Sequence, residues 1–216
     1  MGGHDVTGTV VAIDGPAGVG KSTLSRRLAE DLGLRYVNTG LMYRALARAA
    51  LDRGVDPDDG PVLAGLARDL RFRIRERSLV AEGYEEAGLA TAEVEQVVSS
   101  VSRHPEVRDV LRAEQRRLGA DGSVVEGRDI GSVVFPDADV KVFLSGHEDV
   151  RAARRGRERG SMEPTLAEAL ARRDELDART NPFVPAEDAL EVDTTGKDAD
   201  QVFREVREIV RGALGR

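Results

Sequence analysis

The chain has no cysteine among its 216 residues. A disulfide framework, a thiolate metal site and a cysteine nucleophile are all excluded. The absence fits a reducing compartment, and a cytoplasmic location is the expectation that follows. Long apolar runs are missing as well. No stretch approaches the ~20 residues of a membrane span, and Met1 to Thr9 carries no apolar core of a signal peptide. Histidine is scarce, with three scattered residues, and none is assigned a role. Positive charge is outnumbered: Lys and Arg total 32, Asp and Glu 39, for a net charge of −7. That balance argues against broad nucleic-acid binding, because a phosphate backbone needs a cationic face. What remains is an ordinary soluble mixture, 40% hydrophobic and 33% charged, long enough for an α/β core with insertions.

Apolar residues then locate the elements. Thr9 to Ile13 reads as a buried strand, and Leu24, Leu28 and Leu32 mark a helix that Gly33 ends. Arg35 to Val37 is a second strand, followed by a helix from about Leu41 to Asp52. From about Pro57 to Thr91 the pattern changes, and Arg71 to Arg75 alternates charged and apolar residues as a half-exposed strand does. A small antiparallel insertion is expected there. Helices over 91–102 and 105–118, strands at 123–126 and 140–144, helices at 148–159 and 166–179, a last strand at 189–193 and a last helix at 199–214 complete the reading. Strands alternating with helices predict a parallel, doubly wound sheet.

Between the first strand and the first helix lies Gly15-Pro16-Ala17-Gly18-Val19-Gly20-Lys21-Ser22, followed by Thr23. It matches G-x-x-x-x-G-K-[ST], a phosphate-binding loop. Gly18 and Gly20 allow backbone angles that turn amides inward around a phosphate. The helix N-terminus adds further donors and a positive dipole end. Lys21 places an ammonium between the β- and γ-phosphates of a nucleoside triphosphate, and the Ser22 hydroxyl is suited to Mg²⁺. Residues 15–23 are the expected ATP site.

Three more clusters accompany this loop. Tyr36 to Arg44 joins the second strand to its helix at the carboxyl edge of the sheet, where open α/β sheets bind ligands. Arg44 there is either an anion holder or a solvated surface residue, with Tyr43 in the core. Glu126-Gly127-Arg128-Asp129 ends another strand, and Arg128–Asp129 is either a binding pair or a structural ion pair. Arg151, Arg154, Arg155, Arg157 and Arg159, with Arg172, Arg173, Asp177 and Arg179, form a dense charged segment. It is either a lid closing over phosphates or a salt-bridged exposed helix.

In this order the segments Ile13 to Ser22, Thr39 to Arg44 and Glu126 to Asp137 resemble the cytidylate kinases of bacteria, within the nucleoside-monophosphate kinase group of P-loop kinases. The resemblance extends from Val10 to about Gly196. It implies a single P-loop kinase domain: a five-stranded parallel sheet flanked by helices, with a small antiparallel β insertion and a helical lid. The core would span about 9–56, 92–150 and 187–216, the monophosphate-binding insertion about 57–91 and the lid about 151–186. It implies transfer of the γ-phosphoryl group of ATP, bound with Mg²⁺, to CMP or dCMP. Thr39, Tyr43, Arg44, Ser99, Arg108, Arg128, Asp129, Arg173, Asp177 and Arg179 would surround the acceptor. Lys21, Arg128, Asp129, Arg154 and Arg155 would serve the transfer itself. No nucleic-acid or membrane partner is expected, and a monomer is.

The chemistry suits such a set. An acceptor phosphate oxygen is already anionic and needs no general base, whereas two highly charged groups must be aligned and their repulsion neutralised. Arginine forks bind two phosphate oxygens at once. Two positions depart from the family pattern. Asn38 stands where an acid is common, and the stretch after Asp177 runs two residues short, so that Arg179 would act from a shifted register. The alternatives are another small P-loop kinase, acting on UMP, AMP or shikimate, or a regulatory nucleotide switch. The guanine-reading Asn-Lys-x-Asp segment of such switches is absent.

Overall fold

Strand β1 (Val10–Asp14) is buried along its whole length. An unbroken apolar run of this kind is the mark of a parallel strand covered on both faces. In the computed structural model, which describes residues 8–151 and 184–215, β1 pairs in parallel with β5 (Ser123–Glu126) on one side and β6 (Val140–Ser145) on the other. Strand β7 (Leu190–Asp193) adds in parallel to β6. Helix α1 (Lys21–Leu32) presents Leu24 and Leu28, four residues apart, to this sheet's core beside Val11, Ile13, Val142 and Leu144. Its end is set by Gly33, whose left-handed φ of 69° lets the Gly33 and Leu34 amides close on Glu30 and Ala29 carbonyls.

Strand β2 (Arg35–Asn38) leads directly into α2 (Thr39–Arg53). The helix starts at Thr39, two residues before the predicted Leu41, because the Asn38 side chain accepts the Leu41 amide as an N-cap. Helix α3 (Gly60–Asp69) opens on an Asp59 cap, and the antiparallel hairpin β3 (Phe72–Arg75) and β4 (Ser78–Ala81) follows. The predicted alternation over Arg71–Arg75 is thus a strand. The hairpin turn is made by Glu76 and Arg77, both with positive φ, the angles a two-residue reverse turn requires. The short helix α4 (Glu86–Leu89), α5 (Ala92–Ser102) and α6 (Pro105–Gly119) complete this part. After β5 comes a π-turn, Ile130–Val134, and after β7 helix α7 (Ala199–Ala213), closed by an Asp198–Gln201 capping box.

The chain divides into two compact units, residues 1–36 with 120–216 and residues 37–119. The first is built on β1, β5, β6 and β7 and packs α1 and α7 through Leu24, Leu28, Val202, Val206 and Val210. The second has a helical core in which α2 meets α5 and α3 meets α6, with Met42, Leu46, Leu63, Val98 and Leu111 buried. Each buried Leu or Val side chain contributes about 2 kcal/mol of transfer free energy. Gly60 opens α3 with no room to spare, since a Cβ there would lie 2.1 Å from Glu106 Oε1.

The strands follow one another in the order β3-β4-β2-β5-β1-β6-β7. This corrects the expectation of five strands to seven. The reason is that a hairpin has an open edge rich in unpaired backbone groups, and a strand such as β4 satisfies them by joining a sheet. Sequence periodicity marks the hairpin but does not say which strand it will join.

Candidate active site

The turn from β1 to α1 is built on three left-handed glycines: φ is 146° at Gly15, 71° at Gly18 and 97° at Gly20. At two of them space as well as angle demands glycine. A Cβ on Gly15 would come 2.3 Å from the Leu144 carbonyl oxygen, and one on Gly18 would come 2.7 Å from that of Arg151. Gly20 is the N-cap of α1 and makes no side-chain cap, so the helix opens onto the loop with its dipole end uncovered by a side chain. Lys21 Nζ donates to the Gly15 and Pro16 carbonyls at 2.8 and 2.7 Å. The ammonium is thereby curled over the loop.

Glu126, at the carboxyl end of β5, is buried. Its Oε1 accepts two hydroxyls, Ser22 Oγ at 2.9 Å and Tyr36 Oη at 2.9 Å. Burial first, and then the Glu126 charge, push the Tyr36 phenol above its ordinary value, so it stays a hydrogen-bond donor. The Arg26 guanidinium stands over the Tyr36 ring, 5.3 Å from its centroid. A serine hydroxyl beside a carboxylate at a phosphate loop is a set of hard oxygen donors, the kind that suits Mg²⁺.

Beyond Glu126 the chain bends through Gly127, whose amide returns to the Ile13 carbonyl at 3.0 Å. Arg128 is half-buried and Asp129 is 9% exposed. The Asp129 carbonyl then accepts the amides of Val133 and Val134, which winds the π-turn. Asp14, the last residue of β1, accepts the amides of Ile130 and Gly131 with its two oxygens, at 2.8 and 2.7 Å. Burial raises the Asp14 carboxyl from its ordinary 3.8 to about 6, against the pull of those two amides.

A cleft of about 540 Å³ adjoins the loop, lined by Val19, Thr23, Val150, Gly196, Lys197 and Val202 among others. Arg151 stands at the root of the predicted lid. It donates to the Ala17 carbonyl of the loop at 3.1 Å and to that of Gly146 at 3.2 Å.

The cytidylate kinase family model matches residues 11–212. The chain belongs to the cytidylate kinase family. It is 44% identical to a cytidylate kinase of Acidiphilium cryptum over 96% of this chain and 97% of that one. It is 42% identical to a cytidylate kinase of Exiguobacterium sibiricum, over 94% and 97%. Among solved structures, an uncharacterized protein of Eubacterium ventriosum covers 94% of this chain and 98% of its own. Its TM-score is 0.53 at 12% identity, a likeness of fold alone.

The positions that the cytidylate kinase resemblance pointed to fall into three groups. Gly15 to Thr23, Arg128 and Asp129 belong to the first unit, where the Asp14 bonds to Ile130 and Gly131 and the Glu126 bond to Ser22 tie the two loops to β1 and β5. Thr39, Tyr43, Arg44, Ser99 and Arg108 belong to the second unit. There Thr39 is buried at the start of α2, and Arg44 lies 3.9 Å from Glu95 with its guanidinium nitrogens 3.7 Å from the Cβ position of Gly40. Ser99 and Arg108 converge on Ser102, whose hydroxyl donates to the Ser99 carbonyl while its own carbonyl accepts from Arg108. Arg154, Arg155, Arg157, Arg159, Arg172, Arg173, Asp177 and Arg179 lie outside the described residues.

Asp14, Tyr36, Glu126, Gly196 and Lys197 were not singled out from the sequence. Asp14 and Glu126 were legible as acids at strand ends beside recognised motifs. Tyr36 stood in the cluster at the end of the second strand but was given no role of its own, and the Gly196–Lys197 turn carries no local signal, because its place depends on strands distant in sequence.

Proposed function

We propose that this chain phosphorylates CMP, and dCMP with it, by direct in-line transfer of the γ-phosphoryl group of ATP. The observation that carries this reading is the Gly15–Ser22 loop, with Lys21 curled over it at the mouth of α1, in a member of the cytidylate kinase family. The triphosphate lies in the loop and its nucleoside extends toward the cleft at Thr23 and Gly196. Lys21 exchanges its two carbonyl partners for phosphate oxygens. A charged donor then follows the charge that builds up during transfer, where such contacts stabilise most.

Ser22 and Glu126 would hold Mg²⁺, which when bound neutralises phosphate charge. Tyr36 keeps a hydrogen bond on Glu126 when Ser22 turns away. On the acceptor side, Arg128 offers a fork to the CMP phosphate and Asp129 accepts from the cytosine amino group. Thr39, Tyr43, Arg44, Ser99 and Arg108 are the acceptor contacts proposed for the second unit, and Arg154, Arg155, Arg173, Asp177 and Arg179, outside the described residues, are proposed to serve the phosphates and the acceptor. No side chain has to remove a proton, since the nucleophile is a phosphate oxygen. Among the described residues no helix is long and apolar enough to cross a membrane. We read the chain as a cytoplasmic monomer that binds no nucleic acid.

An ADP-release assay with CMP, dCMP, UMP, AMP and shikimate as acceptors tests the reading. CMP and dCMP are expected to react fastest. Rates with AMP or shikimate that equal those with CMP would overturn it. In the same assay Lys21→Ala is expected to lower kcat by about a hundredfold or more for every acceptor. A near-normal kcat would remove Lys21 from the transfer step.

A further inference from the structure

Asp14 stands where the two halves of the nucleotide chemistry meet. It closes β1 and immediately precedes the phosphate loop. The residue is 7% exposed, and its carboxylate spends both oxygens on backbone amides, Oδ1 on Ile130 and Oδ2 on Gly131. Those amides open the π-turn that follows Arg128 and Asp129. The first amides of any helical turn have no partner within it and need a cap. The usual acceptor is the side chain of the residue just before the turn, and Asp129 makes no such cap bond. Asp14 supplies it from 116 positions away in sequence. On the other side of the turn, Gly131 lies against the Lys141 stem, with its Cβ position 3.1 Å from Lys141 Cγ and Cδ. The turn is thus held from two directions.

Packing alone does not call for a carboxylate at this place. A buried negative charge is costly even when hydrogen-bonded, and Asp129 stands near enough to repel it. A neutral acceptor would cap one amide at lower cost. Two acceptor oxygens in a fixed plane, however, fix both the position and the tilt of the turn.

We propose that Asp14 is a positioning residue, which grips the Ile130 and Gly131 amides and so sets Arg128 and Asp129 in register with the phosphate loop that starts one residue later. The inference rests on the reading that Arg128 and Asp129 bind the acceptor nucleotide. Strand β1 then carries the donor loop at its tip and the acceptor loop on its last side chain, so one rigid element fixes both.

Asp14→Asn is the discriminating variant, because an amide keeps one acceptor oxygen and turns an NH₂ donor against the other backbone N–H. Its KM for CMP is expected to rise about tenfold, the effect of one buried amide left unmatched. Its affinity for a fluorescent ATP analogue, measured without CMP, is expected to stay within about threefold. Amide exchange at Ile130 and Gly131 is expected to quicken in the same variant. A KM for CMP unchanged within about twofold, or an equal loss for ATP, would overturn the proposal. Should the variant not fold, the wild-type enzyme supplies the test. Exchange at Ile130 and Gly131 should slow on adding CMP alone, and no response to CMP would overturn the proposal. Arg128→Ala separates the two levels. If it leaves the KM for CMP unchanged, the acceptor reading fails and the inference with it. If it raises that KM while Asp14→Asn does not, the inference alone fails.

Discussion

Asp14 illustrates what a single buried charge costs the fold. The Asp14 carboxyl titrates near 6 in the folded chain and near 3.8 when unfolded, chiefly because it is buried. The folded state therefore binds its proton more tightly than the unfolded state does. The contribution to stability is fully present below the unfolded value and is lost as pH rises through about 6. Ionising this one group at neutral pH costs on the order of 3 kcal/mol. Urea denaturation of the wild type and Asp14→Asn across pH 4 to 8 checks this. The wild type is expected to lose ground to the variant between about 4 and 6 and to hold a constant difference above about 7. A difference independent of pH would show that Asp14 does not titrate there. The strand-end acid is legible in the sequence, but its partners are not. Ile130 and Gly131 reach it only after β5 has been laid beside β1.

Helix α2 shows the same division between local and distant information. The expected start at Leu41 came from the apolar pattern, which begins later than the hydrogen bonding does. Asn38 moves the start to Thr39 by accepting the Leu41 amide. An N-cap needs an acceptor oxygen and not a charge, so the Asn38 amide performs this task. Asn38→Ala is expected to cost about 1 kcal/mol in urea denaturation. Asn38→Asp is expected to be neutral or to stabilise by up to about 1 kcal/mol, since a carboxylate also complements the helix dipole. A loss in both variants would mean that the side chain is held for something other than the cap. The turn from β1 to α1 was readable as a turn because strand, glycines and helix are contiguous. The π-turn was not, because its winding rests on the Asp129 carbonyl and on Asp14, neither of which leaves a periodicity.

For the chain as a whole, the net charge of −7 runs against two anionic substrates. Binding then depends on local cation placement overcoming a general repulsion. Added salt screens both terms, with a Debye length of about 8 Å at physiological strength. The short-range contacts proposed for Lys21 and Arg128 would be screened less than the diffuse field. The KM for CMP is therefore expected to rise only modestly from low to high salt, with kcat nearly constant. A steep rise would place most of the affinity in long-range attraction. The alternation of strands and helices was enough to predict the α/β class. The seven-strand order was beyond it, because pairing of β4 is decided by tertiary contact.

The glycines of this chain differ in whether a loss can be repaired. At Gly60 a side chain would strike Glu106 Oε1 and His104 Nδ1, both parts of other side chains. Changes that shorten Glu106 and shift His104 can restore the space, so these side chains can drift together with position 60. At Gly15 the obstacle is the carbonyl oxygen of Leu144. Every amino acid carries that oxygen, and no exchange at position 144 removes it. Gly15 therefore has no suppressor at that position, and descent with modification has no paired route around it.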